Sequence, residues 1–307
     1  MITALAGGVG AARMLRGLVR AAPPGSVTAI VNTGDDTVLH GLHVSPDLDT
    51  VAYTLAGWSD DRRGWGLAGE TWTTMEQLER LGGLTWFRLG DRDLATHLYR
   101  SQRLAEGATL SEVTSELVSS MAVPATLLPM SDDPVRTRMT LADGTDVAFQ
   151  QYFVALGHAV AVAAVHFDGA DVARPAPGVL AAIADADRIV VCPSNPVVSI
   201  GPILAVPGVR AALAARREDT VSVSPLVGGA ALKGPADRLL RELGHDATGA
   251  GIASLYRDIA ATLVIDDVDA ADAPAVTAAG LRCIVAPTVM HDVDAATALA
   301  RVVLDAG

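Results

Sequence analysis

Short apolar runs separated by amphipathic stretches set the rhythm of this chain. Residues 2–6 form the first run, apolar enough to read as a buried strand. It turns through Gly7-Gly8-Val9-Gly10 into residues 11–20, where Met14, Leu15 and Leu18 share one face of a helix. Pro23-Pro24-Gly25 stops that helix, and residues 27–32 give a second apolar run. Strand, helix and strand in that order predict a parallel pair joined by a crossover. The rhythm returns late in the chain. Residues 188–192, 220–223, 262–265 and 282–285 read as strands, and residues 209–217, 236–243 and 294–304 as helices. Gly234-Pro235 opens the second of these helices, with proline at a favoured first-turn position. About six strands alternating with helices predict one doubly wound sheet.

The stretch between the two halves is patterned differently. Residues 94–105 and 110–120 carry helical periodicity, whereas 136–141 and 146–153 alternate around Asp143-Gly144, a hairpin signal. The fold expected is α/β: a Rossmann-like, doubly wound, mostly parallel sheet. Residues 1–50 and 181–307 would make its nucleotide-binding core, with residues 51–180 inserted as a helical and antiparallel lid over the strands' carboxyl edge.

Composition narrows the class. Half of the 307 residues are apolar and 19% are charged, a globular balance. An excess of 35 acidic over 23 basic residues leaves a net charge of −12, which argues against broad nucleic-acid binding. Cys192 and Cys283 fit no metal-ligand or redox spacing and are expected as buried thiols in a reducing compartment. The first residues lack the charge and length of a signal peptide, and the apolar stretch 154–167 is broken by His158 and His166, short of a membrane span. A soluble cytoplasmic protein is expected. Lys233 is the only lysine, so the charge of a bound phosphate would fall to Mg²⁺, arginine and backbone N–H groups.

Gly7-Gly8-Val9-Gly10 sits where a strand becomes a helix, so its backbone can approach a phosphate at a helix N-terminus. It is neither a dinucleotide fingerprint nor a P-loop. Arg13 stands where a third glycine would be, Asn32 where the ribose-binding acid would be, and no G-K-[ST] follows. Four polar clusters accompany it: Asn32-Thr33-Gly34-Asp35-Asp36, Pro46-Asp47-Leu48-Asp49-Thr50, Leu89-Gly90-Asp91-Arg92-Asp93 and Met130-Ser131-Asp132-Asp133-Pro134. Each aspartate taken singly can be a turn former or helix cap. Gathered at the edge of a doubly wound sheet, with Arg88, Arg92 and the Ser194-Asn195 loop, they suit metal-assisted phosphoryl or nucleotidyl transfer. His97 falls on the helix after Asp91-Arg92-Asp93, with Arg100 three residues on. Ser194 has no partner in sequence for a hydrolase triad.

Those blocks, with Val31-Asn32-Thr33, Leu94-Ala95-Thr96-His97 and Pro193-Ser194-Asn195-Pro196, together resemble the 2-phospho-L-lactate transferase family, in order and over nearly the whole chain. The near absence of lysine looks like that family's actinobacterial branch. The resemblance implies a Rossmann-like, Mg²⁺-dependent homodimer working in biosynthesis of the deazaflavin coenzyme F-420. The reaction implied moves a phospholactyl or phosphoenolpyruvyl group from a guanosine-diphospho donor to the terminal ribityl hydroxyl of the deazaflavin Fo, and GMP leaves. It implies that Gly7, Gly8, Val9, Gly10, Asn32, Ser194, Asn195 and Pro196 hold the donor. Asp49, Arg88, Arg92 and His97 would hold Fo, and Asp49, Asp91 and Arg92 stand as catalytic candidates. Asp49, Asp132 and Asp133 are the metal candidates. Val9 replaces the family's usual small hydroxyl residue, leaving backbone amides to contact phosphate. Asp49→Asn is expected to keep the fold and lose at least about two orders of magnitude in rate. The rivals are a non-enzymatic nucleotide or sugar-nucleotide sensor, and a nicotinamide dehydrogenase disfavoured by Arg13 and Asn32.

Overall fold

The computed structural model describes residues 1–306. Its first strands are β1 (Ile2–Ala6), β2 (Val27–Val31), the short pair β3 (Thr37–Leu39) and β4 (Leu42–Val44), and β5 (Thr126–Pro129). There follow β6 (Arg136–Leu141), β7 (Asp146–Ala148), β8 (Val162–Asp168), β9 (Arg188–Val191) and β10 (Thr220–Val223). Last come β11 (Leu226–Val227), β12 (Ala230–Ala231), β13 (Thr262–Ile265) and β14 (Arg282–Val285). Seven of them make one sheet in the order β14-β13-β10-β9-β1-β2-β5, every pair parallel. The chain winds outward from β1 through β2 to β5, then returns beside β1 at β9 and winds the other way. Between β1 and β9 lies the point where strand order reverses, the usual ligand crevice of such sheets.

Period-two alternation feeds two apolar layers. Ala4 and Ala6 of β1, Ala29 and Val31 of β2, and Val264 of β13 enter one core. Leu5, Ile30, Leu263 and Ile265 enter the other. Helix α1 (Gly8–Ala21) buries Met14, Leu15 and Leu18 in the first layer beside the C-terminal helix Val293–Asp305. A Cβ at Gly17 would fall 2.2 Å from the carbonyl oxygen of Ala296, so glycine there permits a close helix crossing.

The stretch after β4 holds helices α2 (Pro46–Leu55), α3 (Thr73–Arg80), α4 (Asp93–Ala105) and α5 (Leu110–Ser120), of which α2 and α5 send Leu48, Val51 and Leu110 into the first apolar layer. A separate antiparallel sheet, β7-β6-β8, packs Met139, Leu141, Val147 and Val162 with Val198 and Leu239. Three features depart from the sequence reading. β5, inside the 51–180 stretch, is a seventh strand of the central sheet, paired with β2. The Pro-Asp-Leu-Asp-Thr block is the first turn of α2, with Pro46 in a first-turn position, and not a loop. Strand β7 stops at Ala148, and Gln151–Ala155 coils into a π-helical turn. That turn stacks Phe149 on Phe153 at 5.4 Å, a contact between residues four apart that a strand does not allow. Cys192 is buried but Cys283 only partly so. Among the described residues, no single helix is long and apolar enough to cross a membrane.

Candidate active site

β1 ends at Ala6, and α1 begins two residues later. Gly7 is extended, and Gly8, at φ 73°, takes the left-handed conformation that favours glycine. Gly10 lies so close to the next loop that a Cβ would sit 2.3 Å from the carbonyl oxygen of Pro193. Ser194 Oγ donates to the Gly7 carbonyl at 2.8 Å, binding together the loops after β1 and β9. Asn195 accepts from the N–H groups of Val197 and Val198 and so shapes its own loop.

A cleft of about 830 Å³ opens over this point, bordered by Gly7 to Gly10, Asn32, Ser194 and Asn195. Asp35, from the loop after β2, and Asp47 and Asp49, from the first turn of α2, border it, and Asp36 is buried beside them. Asp35, Asp36, Asp47 and Asp49 are 5%, 4%, 7% and 6% exposed. One amide nitrogen, Asn32 Nδ2, reaches both Asp47 Oδ2 at 2.9 Å and Asp35 Oδ1 at 3.4 Å. Burial pushes the Asp47 carboxyl up to about 6, although hydrogen bonds from Asn32 and the Gly8 N–H resist. Burial, then the charge of Asp47, holds Asp35 well above the usual carboxylate range. Burial lifts Asp36 to about 7 against the opposing charge of Arg136, and its Oδ1 finds no hydrogen-bond partner. Of these three buried carboxylates, Asp36 feels the guanidinium charges of Arg136 and Arg100.

Asp49 is different because its charge is matched. Arg100, itself buried, grips it with both terminal nitrogens, the NH1 contact at 3.1 Å. His97 stands between two acids, Nδ1 at 3.6 Å from Asp49 and Nε2 at 3.4 Å from Asp93. Tyr53 donates to Asp93 at 2.6 Å. Burial raises the Asp93 carboxyl, but hydrogen bonding to His97 and Tyr53 outweighs it and the net displacement is downward. Asp49, Asp93 and His97 offer ligand atoms within 4.8 Å of one another. Arg100 already pairs with Asp49 there, whereas neither Asp35 nor Asp47 has an ion pair among the described residues.

Asp49, Arg88 and His97 join the glycine loop along the cleft. Asp91, Arg92, Asp132, Asp133 and Pro196 lie outside the set of residues bordering it. Asp91 accepts from the N–H groups of Thr73 and Thr74 and so caps α3. Arg92 reaches the carbonyl of Ala68. Asp132 takes the N–H and hydroxyl of Ser111, both at 2.7 Å, and Asp133 pairs with Arg174. Pro196 is buried at the start of a π-helical turn.

Several residues without an assigned role in the sequence reading enter the site: Asp35, Asp47, Asp93, Tyr53 and Lys233 border the cleft. So does half of the chain's small complement of aromatic residues. Arg88 lies 4.6 Å from the Trp72 ring centre, and Arg63 about equally between Trp65 and Trp72, at 5.0 and 5.1 Å. Phe153 stacks on His158 at 5.2 Å in the segment after β7. The buried Asp signals were visible as clusters, but the aromatics are scattered through the sequence and carried no signal.

Residues 2–304 match the family model described as 2-phospho-L-lactate transferase CofD. The chain belongs to the 2-phospho-L-lactate transferase family. A phosphoenolpyruvate transferase from Kitasatospora aureofaciens is 50% identical, over 99% of this chain and 96% of its own. One from Streptomyces griseus is 49% identical over 99% and 97%, and one from Thermobifida fusca 46% over 88% and 87%. Among solved structures, a UPF0052-family protein from Bacillus halodurans superposes with a TM-score of 0.65 at 18% identity. It covers 99% of this chain and 98% of its own length, a likeness of fold alone. Membership makes this chain a transferase, and the cleft at the strand-order reversal is where the family's chemistry has to be sought.

Proposed function

We propose that this chain transfers a phosphoenolpyruvyl or phospholactyl group from a guanosine-diphospho donor to the terminal ribityl hydroxyl of Fo, releasing GMP, in coenzyme F-420 biosynthesis. The observation that carries the reading is the meeting of α1's glycine-rich N-terminus with unmatched buried carboxylates in one cleft. Amides there favour an anion, and the carboxylates favour a divalent cation, and a metal-bound diphosphate satisfies both. The names of the actinobacterial relatives favour the enolpyruvyl donor.

The donor set fits Mg²⁺: the carboxylates of Asp35 and Asp47 share one amide nitrogen, and neither has an ion pair among the described residues. Asp35 and Asp47 would hold the ion, oriented by Asn32. Bound there, it would offset the charge of the diphosphate. The amides at the start of α1 bind the donor's phosphates, and Asn32 and the Ser194-Asn195 loop line its path. The acceptor's planar ring stacks among the aromatic side chains of the cleft, with Arg88 beside it. Asp49 accepts the hydroxyl proton as the acceptor oxygen bonds to the β-phosphorus. The bond from that phosphorus to the bridging oxygen breaks, and GMP leaves with the electron pair. Arg100 occupies one lone pair on each Asp49 oxygen and leaves others free for the proton. The family resemblance adds a cytoplasmic homodimer to this proposal.

The test is direct. Purified protein is incubated with Fo, Mg²⁺ and each donor in turn, and products are resolved by liquid chromatography and mass spectrometry. A phosphodiester joining Fo to the three-carbon acid is expected, most rapidly from the enolpyruvyl donor. Absence of that diester with both donors overturns the proposal.

A further inference from the structure

Two cations bordering the cleft make no hydrogen bond or ion pair among the described residues: Arg88, which lies over the Trp72 ring, and Lys233. Of 23 lysine and arginine residues only Lys233 is a lysine. It follows β12 and reaches across to the segment between α2 and α3. There a Cβ added to Gly64 would lie 2.3 Å from Lys233 Nζ, and Gly64 has a φ of 77°. Any side chain at Gly64 would displace the ammonium. Gly64 in turn shares a narrow crevice of about 20 Å³ with Val9 and Arg13, on the first turns of α1. Lys233, Gly64 and Gly7 to Gly10 border the same cleft, so the ammonium and the α1 amides face one cavity.

We propose that Lys233 is a clamp on the donor's diphosphate, closing on phosphate oxygens opposite the α1 amides. The inference rests on the donor reading above and deepens it. A lysine suits the position because an ammonium is a compact point charge with three donors, able to share them between neighbouring phosphate oxygens. A guanidinium is larger, and Gly64 leaves little room beside it. Arg13 spends one guanidinium nitrogen on the Met290 carbonyl, Arg63 is paired with Asp60, and Arg88 lies over the Trp72 ring, so none offers the same free charge.

Isothermal titration with GDP, inorganic pyrophosphate and guanosine, all with Mg²⁺, distinguishes the possibilities. Lys233 is exposed, so Lys233→Met is expected to fold as the wild type does, checked by circular dichroism. Lys233→Met should bind GDP and pyrophosphate at least about tenfold more weakly, the usual scale for a hydrogen bond to a charged group. Guanosine affinity should not change, and Lys233→Arg should recover part of the loss. GDP and pyrophosphate affinities within about twofold of wild type would overturn the clamp, as would an equal loss for guanosine. These outcomes are separate from the transferase proposal, which stands or falls on whether the wild type makes the diester.

Discussion

Replacing Asp36 by asparagine should make this protein more stable at pH 8, and the gain should shrink as the pH falls. Asp36 is buried, accepts a 2.8 Å hydrogen bond from Ser45, and is lifted by burial to about 7 from an ordinary 3.8. The folded chain therefore holds this proton more tightly than the unfolded chain. Its stabilising effect is complete below pH 3.8, declines as the pH rises, and is gone above about 7. Asparagine mimics the protonated acid at every pH. A shift of about three units at 1.36 kcal/mol each puts the wild type about 4 kcal/mol below the variant at pH 8. At pH 5 the deficit shrinks to about 1–2 kcal/mol. Comparing the two proteins cancels the opposite trend of His43, which burial pushes down to about 4. Urea denaturation followed by tryptophan fluorescence, in chelator at pH 5 through 8, reads the difference. Parallel stability curves, or a variant weaker than wild type at pH 8, would refute the assignment of a neutral, buried Asp36.

Asp49→Asn should lower turnover at least about a hundredfold and, by stranding the Arg100 charge, cost about 3–5 kcal/mol of stability. Adding Arg100→Met should restore stability to denaturant but not turnover; near-normal GMP release from either variant would contradict the role given to Asp49. Asp47→Asn should raise the Mg²⁺ concentration for half-maximal rate by about tenfold or more, measured by metal titration of GMP release. Gly10→Ala should drive a methyl against the Pro193 carbonyl and cost about 1–3 kcal/mol, read by thermal denaturation.

The central sheet was legible because parallel strands covered on both faces announce themselves as apolar runs. β1, β10, β13 and β14 fall at the predicted residues, and β2 and β9 end one residue sooner. β5 escaped because Thr126-Leu127-Leu128-Pro129 is short, ends in proline, and sits at the sheet edge where a missing N–H is tolerated. The start of α2 was hidden because Ser45-Pro46-Asp47 reads equally as a turn, and only packing of Leu48, Val51 and Tyr53 decides for helix. In the site, the convergence of the glycine, Asn32 and Ser194 loops followed from topology alone. The partnership of Asp49 with Arg100 did not, since 51 residues separate them and each is explained only by the other's burial. Lys233 stood out by its rarity, yet only folding brings it to Gly64 and the cleft.

The most direct measurement is ³¹P magnetic resonance of the enolpyruvyl donor turning over with Fo and Mg²⁺. The coupled diphosphate signals should give way in step to a GMP monoester and one phosphodiester, and only when Fo is present. Unchanged diphosphate signals, or GMP appearing with a free three-carbon phosphate in place of the diester, would contradict it.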